Sequence, residues 1–256
     1  MEEQHLDYVL VPLGLLVFAT YHGWLLCSIL RNPFRTVIGL NAKSRHQWVF
    51  SMMNDPLKNG VLAVQTIRNN IMASTLLATT AITLSSLIGI FATSTWSSDE
   101  TASIFVIGNK TSTCATIKRL SISVCFLVAF LCNVQSIRYY AHVSFLITAP
   151  ALKGRSDYIE YIAKTLNRGS HAWSLGMRAF YISFPLILWI YGPIPMFACC
   201  CLTTFILYFL DTTTKITRDI HCNSFKEEPL DLNAVQSDYY PLADGVLSQN
   251  SGADHV

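Results

Sequence analysis

The residues of this chain that can do chemistry sit inside or at the edges of long uncharged runs. His22 lies between Tyr21 and Gly23 in a run, 8–30, that holds no Asp, Glu, Lys or Arg. Arg68, Asn69 and Asn70 stand at the start of a second such run, 69–98. From Arg68 the side chains of Met72, Thr75, Thr79, Thr83 and Ser86 follow in steps of three or four, so all six share one helical face. Gln135, Arg138 and His142 share a face in the stretch 120–152, with Asn133 beside them, and Arg178 precedes the run 179–210. Polar groups are costly in hydrocarbon and turn toward a bundle interior or a water-filled cavity. His22, Arg68, Asn69, Asn70, Gln135, Arg138, His142 and Arg178 are therefore the candidate lining of a positively charged vestibule that would accept an anion or an acidic lipid headgroup. Packing is the alternative, because Thr and Ser let helices approach closely and bond across the contact. Arg138 would then only snorkel to the interface from a span ending near 137. His22 and His142 also fit a pair of haem ligands on facing helices, although a single histidine per helix serves equally well as a packing residue.

Other signals are structural or negative. Gly192-Pro193-Ile194-Pro195 falls near the middle of the last run. Each proline lacks an N–H and obstructs the carbonyl four residues back, so a helix break is expected here. In transporters such breaks mark binding sites; a plain kink is the alternative. Cys114 and Cys222 are a candidate disulfide and Asn109-Lys110-Thr111 a glycosylation triplet. The other six cysteines lie within the runs as small packing residues, with no spacing suited to a metal. No HExxH, GxSxG, P-loop or GxGxxG fingerprint is present, and only Asp7 and Asp211 stand as carboxylates at the run edges. Without an acid/base pair or a metal set at depth, an enzyme is the least supported class, and neither metal nor cofactor is expected. A net charge of +2 gives no reason to expect a nucleic-acid partner.

The elements that must hold these residues follow from composition. Charged residues are 13% and hydrophobic ones 52% of 256 residues, against about 25% charge in soluble proteins. A helix needs about 20 apolar residues to cross about 30 Å of hydrocarbon, and four stretches are long enough. The expected fold is all-α: an integral membrane bundle of four transmembrane helices over 8–30, 70–93, 120–145 and 180–210, with short amphipathic cytosolic helices over 45–53 and 157–168. These form one domain, 1–221, followed by a disordered tail, 222–256. Met1-Glu2-Glu3 is acidic where a cleavable signal peptide is basic. Segment 31–68 holds six Lys/Arg against one acid, and 138–178 six against two. The positive-inside rule then places loops 31–68 and 146–178 in the cytosol, with both termini outside or in a lumen.

The run from Asn59 and Gly60 through Gln65, Arg68, Asn69 and Asn70 to Thr80 resembles the signature block of the domain of unknown function 599 family. Ile137-Arg138-Tyr139-Tyr140 and Arg178-Ala179-Phe180-Tyr181 are similar to it as well. The likeness covers about residues 5–222. It implies a multipass protein of a plant plasma membrane or endomembrane and carries over no reaction and no catalytic residue. The function classes that remain are a small transporter or channel subunit, a membrane scaffold without a small-molecule site, and an intramembrane enzyme. Four spans are few for a carrier, so the first class requires a homo- or hetero-oligomer in the lipid bilayer.

Overall fold

The structure, a computed structural model, describes residues 2–94, 112–149 and 155–214. Asn109, Cys222 and the tail 222–256 lie outside the described residues; Cys114 is half-buried in the first turn of its helix. Six α-helices follow one another: α1 Glu2–Arg31, α2 Val37–Asn54, α3 Pro56–Ser94, α4 Ser112–Leu146, α5 Arg155–Leu188 and α6 Pro193–Asp211. A 3-10 turn, Pro33–Arg35, joins α1 to α2. The described residues hold no strand, only an isolated bridge between Thr36 and Thr212. Four helices are long and apolar enough to cross a membrane: α1, α3, α4 and α6. The all-α bundle with four membrane-length helices therefore stands.

The last expected span is corrected. Residues 180–210 are not one kinked helix; α5 ends at Leu188 and α6 begins afresh at Pro193. Gly192 is extended and precedes the first turn of α6. Pro193 and Pro195 fall within that turn, where backbone N–H groups have no intrahelical acceptor and the loss of one costs nothing. The Gly-Pro-Ile-Pro sequence therefore makes a turn between two helices. The amphipathic segment 157–168 is likewise no separate helix. It is the opening of α5, which continues unbroken to Leu188.

The helices lie side by side in the order α3, α4, α5, α6, α1, each packed chiefly on its neighbours. Neighbours alternate in direction up to α6. Ser74 Oγ on α3 lies 3.4 Å from Ser136 Oγ on α4, and that hydroxyl donates to the Gly169 carbonyl of α5 at 2.8 Å. Close approach of α4 and α5 requires a glycine: a Cβ on Gly176 would stand 2.7 Å from Asn133 Nδ2. α1 and α6 run parallel, with Gly14 against Cys200 and the rings of Trp24 and Tyr208 5.4 Å apart. Both therefore end together, where the Thr213 N–H donates to the Arg35 carbonyl at 3.3 Å. This corrects the expectation that segment 31–68 and the C-terminal side of the bundle lie on opposite sides: Arg35 and Thr213 are at one end.

Three apolar clusters form among the described residues, the smallest being Phe18, Tyr21 and Leu207 between α1 and α6. Beyond the uncharged runs, α2 closes on α3, α4 and α5 through Val49, Met53, Ala63, Ile67, Val143, Ile147, Ile162 and Leu166. Thr36 starts α2 by accepting the Gly39 N–H at 3.2 Å, and a Cβ at Gly39 would collide with the Pro33 carbonyl. At the other end Ile122, Phe126, Phe180, Leu186, Met196 and Cys200 join α4, α5 and α6. There Lys118, buried, lies 5.3 Å from the Trp189 ring, whose Nε1–H donates to Asp7 at 3.2 Å. This clasp marks the end of the bundle remote from α2. Arg138 is 20 residues from Lys118 along α4, about 30 Å of helix, so charged planes bound an apolar slab of bilayer thickness.

Candidate functional site

Inside that slab, among the described residues, an ion pair joins α5 and α6 beside polar side chains of α1. Asp211 is the last residue of α6, Arg178 lies in the middle of α5, and Tyr21 and His22 lie in α1. Arg178 Nη2 donates to Asp211 Oδ2 at 2.8 Å, and the two side chains are each only 13% exposed. The Tyr21 hydroxyl donates to the same oxygen. Arg178 Nη1 stands 3.5 Å from His22 Nε2, while His22 Nδ1 lies 2.9 Å from the Phe18 carbonyl and its ring stacks on Phe18 at 4.4 Å. These partners fit a neutral imidazole with its proton on Nδ1, accepting from Arg178 at Nε2. A carboxylate at a helix C-terminus faces the negative end of the helix dipole. Asp211 is held there by a guanidinium and a phenol, which offset that repulsion. Tyr21 lies 14 residues beyond Asp7 on α1, about 21 Å from the Trp189 clasp, which is within the slab. The cluster unites three helices around one carboxylate. It can bind an anion in place of Asp211, or exchange a proton between Asp211 and Tyr21 along their hydrogen bond.

Beside it an open apolar groove of about 570 Å³ runs along α1 and α6, lined by Leu16, Val17, Thr20, Tyr21, Trp24 and Tyr208. Tyr21 belongs to both: its ring floors the groove and its hydroxyl reaches the charge cluster.

The other expected vestibule residues do not join His22 and Arg178. Arg68, Asn69 and Asn70 are exposed on α3, and Arg138 and His142 are exposed on α4. Gln135 is half-buried, and His142 Nε2 meets the Tyr161 hydroxyl at 3.3 Å. The reason lies in α3, which buries Ala63, Ile67, Ser74, Ala78 and Ala81. This turns Met72, Thr75, Thr79, Thr83 and Ser86 outward. Their hydroxyls bond backward to carbonyls of their own helix, for example Thr83 to Thr79 at 2.8 Å. The haem pairing is not assembled, because both ring nitrogens of His22 are engaged and His142 faces Tyr161. Among the described residues no group of three or more His, Cys, Asp or Glu could hold a metal ion.

At the α2 end a second polar contact ties α2 to α5. Arg45 Nε donates to Asn167 Oδ1 at 2.9 Å, and Asn167 Nδ2 donates to the Ala42 carbonyl at 3.0 Å. His46 pairs with Glu160, which Lys164 also approaches at 3.2 Å. The hydrogen bond from His46 holds the Glu160 carboxyl below the usual carboxylate range; burial opposes it, and the hydrogen bond and charge of Lys164 add to the lowering.

Asp211, Tyr21, Arg45 and His171 were not among the expected site residues. One signal was present: Glu160, Lys164, Asn167, His171, Ser174 and Arg178 step by four and three along a single helical face. That spacing joins the amphipathic segment to the last uncharged run as one helix.

The family model described as "Protein of unknown function, DUF599" matches residues 9–216. The chain belongs to the DUF599 family. The resemblance carried by Asn59–Thr80 and the Arg138 and Arg178 motifs thus holds. No curated protein and no solved structure matches the chain. The DUF599 stretch runs from α1 to just beyond α6 and contains Tyr21, His22, Arg178 and Asp211 together, so the cluster belongs wholly to the family domain.

Proposed function

We propose that this DUF599 protein is a small membrane transporter or channel subunit whose working site is the Tyr21, His22, Arg178 and Asp211 cluster. One observation carries the proposal: an ion pair between Arg178 and Asp211, each side chain 13% exposed, at the depth of the apolar helices. Ionised groups at that depth cost several kcal/mol and are found where they serve an ion or substrate path. The pair also sits at the junction of α1, α5 and α6, where a small relative shift of the helices would break it. The basic end carrying α2 faces the cytosol under the positive-inside rule. Five crossings, with Gly169–Leu188 of α5 as the fifth, put the start of α1 outside or in a lumen and Thr213 in the cytosol. The plasma membrane or an endomembrane is the proposed location.

A specific observation favours an interaction role beside this. α3 sits at the end of the row of helices with only 17% of its apolar window buried, and it presents Thr75, Thr79, Thr83 and Ser86 on the open face. Small hydroxyl residues suit close helix association, and a homo- or hetero-oligomer built there would supply the spans that a single chain lacks.

The test is ion and organic-anion flux into proteoliposomes, with a parallel small-molecule thermal-shift screen on the purified protein. A native-state ligand raises the melting temperature by mass action. A hit lost in Arg178→Gln supports transport. An inert, unliganded protein that co-purifies with a stable partner supports the scaffold.

A further inference from the structure

We infer that Arg45, with His171 beside it, forms a phosphate-binding site at the membrane interface where α2 meets α5. This site is separate from the Arg178–Asp211 pair and does not depend on the function proposed for it; His171 and Arg178 are seven residues apart, about 10 Å along α5.

Arg45 is half-buried, and its Nε is fixed on Asn167 Oδ1 at 2.9 Å. Asn167 is itself anchored to the α2 backbone at Ala42, so the guanidinium is held from both sides of the helix contact. With Nε occupied, the two Nη groups remain, and among the described residues they meet no acceptor. Burial pushes the Arg45 guanidinium below its ordinary range, and no carboxylate offsets this. Its neighbours are Tyr140, itself buried, and His171, near enough to feel its charge. His171 makes no hydrogen bond among the described residues and is exposed on the same face of α5 as Asn167. The nearest acid on that face, Glu160, is two turns before Asn167 and is taken by His46 and Lys164. A half-buried arginine fork beside a free imidazole, with no acid between them, is built for an anion. The paired Nη donors match two oxygens of a phosphate, and His171 can donate to a third.

Position selects the source to test first. Ser136 Oγ meets the Gly169 carbonyl, so Arg45, Asn167 and His171 lie level with the end of the uncharged stretch of α4. Arg31, Arg68, Arg138 and Arg168 are exposed at nearly the same height, about 30–36 Å from the Trp189 clasp, and none is in an ion pair among the described residues. That is the plane of lipid phosphates, where a belt of basic residues attracts anionic headgroups.

The test uses the full-length protein in neutral detergent, with thermal shift as the readout. The probes are dioctanoyl phosphatidylinositol 4-phosphate, dioctanoyl phosphatidylcholine and inorganic phosphate. Wild type is expected to be stabilised by the phosphoinositide and not by phosphatidylcholine. Arg45→Gln should weaken the apparent affinity at least about tenfold, and Arg45→Lys, which keeps the charge but loses the fork, by less. His171→Gln, at an exposed side chain without a partner, should weaken it without lowering the unliganded melting temperature, and it carries the test should Arg45→Gln fail to fold. Equal stabilisation by inorganic phosphate, lost in the same variants, assigns the site to soluble phosphate. No shift with either phosphate probe, a shift unchanged in both Arg45→Gln and His171→Gln, or equal stabilisation by phosphatidylcholine overturns the inference.

Discussion

Arg178 and Asp211 are 33 residues apart in the chain yet lie 2.8 Å apart in the bundle, and the Tyr21 hydroxyl shares the carboxylate oxygen that Arg178 holds. This contact fixes α6 to α5 and α1 within the apolar slab. Removing one partner strands the other charge in a poor solvent. Arg178→Gln and Asp211→Asn should each destabilise the purified protein by about 3–5 kcal/mol, and the double variant by less than the sum of the two. Denaturation in detergent measures all three. Additive losses would show that the two side chains do not act as a pair.

The α4–α5 contact is tight at Gly176, where a Cβ would meet Asn133 Nδ2 at 2.7 Å and the Ala129 carbonyl at 3.3 Å. Gly176→Ala is expected to cost about 1–3 kcal/mol through overpacking. Asn133→Ala in the same chain should recover part of that loss, since the closest clashing atom is then gone. Thermal melting of the two single variants and the pair checks this, and a pair no more stable than Gly176→Ala alone would contradict it.

Much of the bundle is legible in the sequence, because α1, α3, α4 and α6 each hold an apolar stretch long enough to cross a membrane. α5 is not legible by that rule. Its face carries Glu160, Lys164, Asn167, His171 and Arg178, which lower its apolarity although its opposite face is as buried as any. The helix that looks least like a span thus carries the residue that organises the site. Composition also leaves open which way a polar stripe turns: Thr75, Thr79 and Thr83 look like the wall of a path, but the burial of Ala63, Ile67, Ala78 and Ala81 on the other face of α3 points them outward. Nor does the chain announce that Asp211 returns to Arg178. That follows from the turn at Gly192, which reads as a kink until Pro193 and Pro195 are placed in the first turn of a new helix.

The outward stripe on α3 gives a third prediction. Thr79→Trp and Thr83→Trp change exposed positions and should leave monomer stability within about 0.5 kcal/mol. Both should lower the oligomeric state seen by light scattering in mild detergent. An unchanged mass would remove α3 as the association face.

The pairing of Arg35 with Thr213 gives a fourth. Reporter tags at the start of α1 and after Thr214 should lie on opposite sides of the membrane, with the second accessible from the same side as a tag in the Asn54–Pro56 connection. Protease protection in sealed vesicles reads this directly. Tags at the two ends on one side would contradict the five crossings.

Acid should loosen the α2–α5 contact. The folded-state pKa of Glu160 is lowered by His46 and Lys164, so its contribution to stability is present above the ordinary glutamate range and is lost as pH falls through the lowered value. The side chain is 39% exposed, so the effect is small. Glu160→Gln should lower the melting temperature slightly near neutrality, leave it close to wild type at low pH, and so flatten the acid limb of the profile. An acid limb identical to wild type would contradict the linkage.

The central claim is that the Arg178–Asp211 pair is a working site and more than a brace. The most direct measurement is ion and organic-anion flux in proteoliposomes holding equal amounts of folded wild type, Asp211→Asn and Tyr21→Phe. Wild type should show measurable flux, Asp211→Asn a loss of at least about tenfold, and Tyr21→Phe a changed pH dependence with folding retained. No flux in wild type, or equal flux in all three, would contradict it.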